Sequence, residues 1–280
     1  MPLNPNRSRH LLPGLVLLIA ITAMGLHGPI AQLADYHHFA DQRAWLSIPH
    51  AADVLSNIGF ALVGVWGLFR LNHGRPANTP GRAGYQLFFA SLVLTALGSG
   101  WYHLAPDNGR LVWDRLPIAL ACAGLLSAIW REHLAGQRWV TPVLALLSTC
   151  SVAWWRFTDL QGGGDLRPYL LLQLMPLVLI PLVQWQAGVP RAQRRVFLLA
   201  MVCYVMAKAC ELADHTIFDQ LLCLSGHTLK HLLATMAAAL VAHGACSYAH
   251  APKSHDLGFR QAQKARLRPG APAGPTGRRR

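Results

Sequence analysis

The chain has 280 residues, 53% of them hydrophobic and only 13% charged, with a mean hydropathy of +0.29. That balance argues against a water-soluble domain and fits a polytopic membrane protein. The formal net charge of +13 does not point to nucleic acid, because the excess sits in short loops and a C-terminal tail.

A spanning helix needs about 20 mostly apolar residues. Eight such segments can be read in chain order, over 11–31, 53–71, 85–104, 114–132, 140–157, 168–186, 195–212 and 227–247. Pro117, Pro142, Pro176 and Pro181 fall within them, as membrane helices allow. No strand-like alternation of barrel length is present. The expected fold class is therefore all-α, a seven-helix transmembrane core preceded by one extra N-terminal transmembrane helix. The first segment follows Arg7 and Arg9 and is read as uncleaved, because the apolar run from Leu11 to Leu26 is long for a signal peptide. These readings divide the chain into a stub and extra helix (1–35), the core (36–250) and a basic tail (251–280).

Following the loops across the membrane puts Arg70, Arg75, Arg82, Arg131, Arg138 and the cluster Arg191, Arg194 and Arg195 on one side. The tail joins them. The positive-inside rule places that side, and both termini, in the cytoplasm. The tail, rich in Pro, Gly and Arg, reads as disordered and suited to anionic lipid headgroups. The six cysteines are scattered without a C-x-x-C, and most fall within apolar segments and read as buried thiols. Cys210 and Cys223 are both placed near the outer face, where a bridge is the alternative.

The most informative residues are polar ones at the edges of apolar segments. Ser99 and His103 are four apart at the end of the third segment, Asp114 opens the fourth, and His227 and His231 are four apart at the start of the eighth. Alternating crossings put all five at the outer, periplasmic level. Ionisable groups are costly in a bilayer, so their convergence implies a site. Residues four apart share a helix face, so His227 and His231 can meet one ion, with His103 as a third ligand. Three neutral imidazoles leave a fourth tetrahedral position for water, the pattern of a catalytic rather than a structural zinc site, with one Zn2+ per chain. Asp114 could move a proton or orient a ligand, and Ser99 could donate to an oxyanion. The plainer alternatives are a back-bond from Ser99 to its own helix and an N-terminal capping role for Asp114. Lys208, Glu211, Asp214 and His215 form a second polar cluster, read as a helical ion pair. Lys230 is read as pointing to a different face from the paired histidines.

These motifs resemble the alkaline ceramidase branch of the CREST hydrolase superfamily, which also contains the adiponectin receptor relatives. The resemblance covers about 36–247 and rests on Ser99-Gly-Trp-Tyr-His103, Trp113-Asp114-Arg115, Ser225-Gly-His-Thr-Leu-Lys-His231, and the stretch from Ile48 to Asn57 with its Ser56-Asn57 pair. It implies a seven-helix core, zinc on His103, His227 and His231, assistance from Ser99 and Asp114, and hydrolysis of the amide of ceramide or another N-acyl lipid. The acidic calcium-binding segment of the animal and yeast enzymes is replaced here by Tyr36-His-His-Phe-Ala-Asp41. That departure argues against calcium dependence and widens the substrate beyond ceramide. Two rival readings are a lipid receptor that keeps the zinc site, and a transporter working through Lys208, Glu211 and Asp214.

Overall fold

A computed structural model describes residues 5–134 and 137–247; the basic tail from 251 onward lies outside them. The described residues are helical, with one isolated bridge between Trp45 and Ile48. The helices are α1 (Pro5–His27), α2 (Ala51–Ser56), α3 (Ile58–Gly74), α4 (Arg82–Leu104) and α5 (Asn108–His133). They are followed by α6 (Val140–Leu160), α7 (Arg167–Gln186), α8 (Arg191–Leu212), α9 (Asp214–Leu221) and α10 (Gly226–Ser247). Six spans are long and apolar enough to cross a membrane, counting α2 and α3 together, and a seventh is reached if α8 and α9, bent by 82°, form one broken span. Helix α10 matches them in length.

Large apolar side chains cover the outside of this bundle. Leu62, Leu97, Leu146 and Leu198 are each more than half exposed, an arrangement water penalises and lipid does not. Exposed tryptophans mark both ends. Trp101, Trp113 and Trp154 lie toward one, while Trp139 and Trp185 lie toward the other. Amphipathic indole rings favour the two membrane–water interfaces.

The interior is built on two close helix pairs: α4 with α5, flanked by α3, α6 and α7, and α8 with α10, joined to the first through α3 and α7. Phe88, Phe89, Leu92, Ile129, Ile180 and Phe197 form its apolar centre. Helix α1 lies against α7 at the edge, leaving Leu11, Leu18 and Leu26 largely exposed.

Several boundaries differ from the sequence reading. Helix α5 begins at Asn108, not near 114, because the Asp107 side chain accepts the Arg110 N–H at 2.8 Å and caps it. Asp114 is therefore well inside the helix and is not its cap. Helix α1 ends at His27, where Gly28 takes a positive φ of 81°. The stretch before the core is a long strap over residues 28–50, pinned to the bundle by specific bonds. Leu166 N–H donates to Ile30 O at 2.8 Å, and His37 bonds both the Tyr102 hydroxyl and the Asn108 amide oxygen at 2.8 Å.

Candidate metal centre

His103 lies in the last turn of α4, and His227 and His231 lie in the first two turns of α10. The three buried imidazoles offer ring nitrogens that all lie within 4.8 Å of one another, a group able to hold a metal ion. The closest pair is His103 Nε2 and His227 Nε2, 3.3 Å apart. Two backbone approaches bring these ends together. A Cβ on Gly226 would overlap Cys210 O and come within 2.7 Å of Asp214 Cα, so a glycine lets α10 start directly against the end of α8. A Cβ on Gly98 would likewise overlap Trp113 O. That contact sets α4 against α5 immediately before Ser99 on one helix and Asp114 on the other.

The donor set fits a metal. The Ser56 hydroxyl donates its one proton to Asp53 O at 3.0 Å and lies 2.8 Å from His231 Nδ1. With its proton on Asp53 O, the hydroxyl would accept from Nδ1–H, the tautomer that leaves the His231 Nε2 lone pair for an ion. His103 Nδ1 is buried without a hydrogen-bond partner among the described residues, an unusual state for a polar atom. Lys230 Nζ is 2.9 Å from His227 Nε2, so a cation already faces that nitrogen. The same ammonium is 3.0 Å from Glu211 Oε1 and keeps that acid partner if the imidazole turns to a metal.

The ends of the ligand helices are held by one carboxylate. Asp214 Oδ1 accepts the His227 N–H at 2.7 Å, and Oδ2 accepts the Ala40 N–H at 2.9 Å. It thus ties the start of α10 to the strap. The strap covers the histidines directly, with the Phe39 ring centroid 4.7 Å from that of His103 and 4.4 Å from that of His227. Phe39 is 3% exposed.

Ser99 and Asp114 are buried and line one cavity together with His231, Lys230 and Glu211. The Gly98–Trp113 contact brings the two to this cavity from α4 and α5. The hydroxyl that back-bonds its own helix is that of Thr95, to Ser91 O at 2.8 Å. From this polar end a cavity of about 170 Å³ runs between α4, α5, α7, α8 and α10. Its walls are apolar, including Leu92, Ile118, Pro176, Met201 and Ala238.

Lys208 pairs with Glu211 at 2.7 Å as its spacing suggests. Lys230 does not point elsewhere: three residues from His227, it shares that face and closes a Lys208–Glu211–Lys230 network on the cavity. His215 bonds His38 O at 3.0 Å rather than Glu211. Cys210 and Cys223 are free thiols. The sequence assigns no role at this centre to Ser56 or Phe39 and no capping role to Asp214. Ser56 belongs to the Ile48–Asn57 stretch that carried the resemblance, whereas Phe39 left no local signal. Comparison with family models, curated proteins and solved structures finds no match for this chain.

Proposed function

We propose that the protein is a membrane-embedded, zinc-dependent hydrolase that cleaves the amide bond of ceramide or a related N-acyl lipid, as its resemblance to alkaline ceramidases implies. The observation that carries this reading is the position of three buried, converging imidazoles and a Ser99–Asp114 pair at the polar end of one long apolar cavity. His103, His227 and His231 would hold the ion. Bound zinc supplies a Lewis acid that polarises a carbonyl and lowers the pKa of water to about 7.

The remaining work falls to the chain itself. Asp114 takes the proton released by the attacking water and passes it to the leaving amine, so that water adds across the broken C–N bond to give an acid and an amine. The Ser99 hydroxyl, beside it, turns its donor toward the oxyanion that develops on the attacked carbonyl. Ser56 keeps His231 in the tautomer that can bind metal. The apolar walls take the acyl chain and exclude water, which strengthens the charged interactions at the polar end. Lys208, Glu211 and Lys230 are paired at the same end, so they belong to this site rather than to a separate transport path.

The orientation proposed is the metal centre outward and the arginine-rich end cytoplasmic, in a bacterial inner membrane. It is supported by charge at the two ends. At the histidine end Arg43, Arg110, Arg156 and Arg167 each pair with an acid a few residues away. The opposite end carries Arg82, Arg138, Arg191, Arg194 and Arg195, the excess the positive-inside rule assigns to the cytoplasm.

The test is metal analysis of detergent-purified wild type beside His227→Ala, followed by incubation with ceramide and other N-acyl lipids and mass-spectrometric detection of released fatty acid. The expected result is about one zinc per chain, lost in the variant, with release that depends on it. Folded wild type without metal would sink the proposal. Metal and lipid binding without release would leave the receptor reading in its place.

A further inference from the structure

A second cavity, of about 300 Å³, lies at the opposite end of the bundle, where α7 ends and α8 begins. Because α8 and α10 are antiparallel, with Gly226 against Cys210 and Gly244 against Phe197, this end is remote from the histidines. Three guanidinium groups line it, from Arg191, Arg194 and Arg195, while Phe197, Leu198 and Met201 form an apolar wall. Among the described residues no acidic one lines it. The first turn of α8 also lacks an acidic residue, and its N-cap Pro190 makes no side-chain bond to the free N–H groups.

An independent observation shows that this concentration of donors is incomplete. Gln184, which lines the cavity, is 2% exposed, and its Nε2 has no hydrogen-bond partner among the described residues. Arg194 Nε is likewise buried without one. A buried donor left unpaired is costly, and both donors would be satisfied by an acceptor carrying negative charge. Trp185, 64% exposed beside them, marks this depth as the interface. Leu198, 58% exposed, continues the wall toward the lipid-facing side.

We propose that this cavity binds the phosphate of an anionic glycerophospholipid, with Arg191, Arg194, Arg195 and Gln184 as donors and one acyl chain along Leu198. Guanidinium forks suit phosphate oxygens, and basic pockets between membrane helices select anionic headgroups. The site is separate from the metal centre and does not depend on what that centre does.

The experiment uses the full-length protein in detergent with a phosphatidylglycerol carrying a photoreactive acyl chain, and maps the labelled peptides by mass spectrometry. Label is expected within 197–201 of α8, and a phosphatidylcholine analogue should give little. Changing the two exposed arginines, Arg191→Gln with Arg195→Gln, should cut that label by about tenfold. An unchanged thermal midpoint in detergent should show that the variant protein is intact. Equal labelling by the zwitterionic lipid, or unchanged labelling of the variant, would overturn the proposal. Displacement by millimolar inorganic phosphate would identify free phosphate as the occupant and overturn the lipid assignment.

Discussion

On the proposed reading, Ser56 governs the centre without holding the ion. Its hydroxyl lies against His231 Nδ1, and accepting from that nitrogen would leave Nε2 for the ion. Ser56→Ala should therefore weaken zinc affinity by about 10–100-fold, measured by competition with a chromogenic chelator, with circular dichroism unchanged. Asp114→Asn should separate binding from chemistry: zinc content is retained while fatty-acid release falls by about 10²–10⁴-fold. Equal loss of metal and turnover would assign Asp114 to holding the site together. The histidines, Ser99 and Asp114 could be read from the sequence because polar residues stand out in apolar segments and their spacing is helical. Ser56 could not be assigned a role in that way. Serine is common in membrane helices, and its partner is 175 positions away. Lys230 was legible in principle, since a residue three beyond His227 shares its face.

At the scale of elements, the pairing of α4 with α5 fixes the distance between Ser99 and Asp114. Gly98 is a point of close approach, where even a methyl group would meet the Trp113 carbonyl. Gly98→Ala should cost about 1–3 kcal/mol, read as a lower thermal midpoint in detergent, and should reduce turnover more than zinc content. Hydropathy located the long helices because their length is imposed by the bilayer. It missed the break at Asn57 between α2 and α3 and the short α9. Those features are set by long-range polar contacts, such as Asp214 with Ala40 and His227, which no local window contains. The start of α5 was misplaced for a related reason. Asn108, Gly109 and Arg110 are polar, so hydropathy omitted a turn that the Asp107 cap secures.

Taken whole, the molecule has a tightly paired histidine end and an opposite end with an excess of positive charge. Arg43 hydrogen-bonds Asp41 and holds its carboxyl below the usual carboxylate range. Burial pushes Asp165 up, but bonds from Arg167, Trp154 and the Ile30 N–H outweigh it and bring that carboxyl down as well. A lowered pKa in the folded state means each carboxylate stabilises the fold above its unfolded value of about 3.9. That contribution is lost as pH falls through the lowered value. The thermal midpoint should therefore drop in strong acid, and an Asp41→Asn, Asp165→Asn double variant should show a flatter dependence over the same range. A slope unchanged by the double substitution would remove both pairs from the explanation.

The strap that Asp41 and Arg43 anchor has a kinetic consequence. Arg43 also reaches Leu222 O at 3.1 Å and Cys223 O at 3.0 Å, fastening the strap to the loop before α10. Phe39, behind that fastening, packs over His103 and His227, and the other approach is an apolar cavity that a charged chelator cannot cross. An ion held there can leave only while the strap is lifted. Its loss should then be a clock for strap opening: the rate saturates with chelator concentration, and Arg43→Ala runs that clock faster without changing how tightly the imidazoles bind.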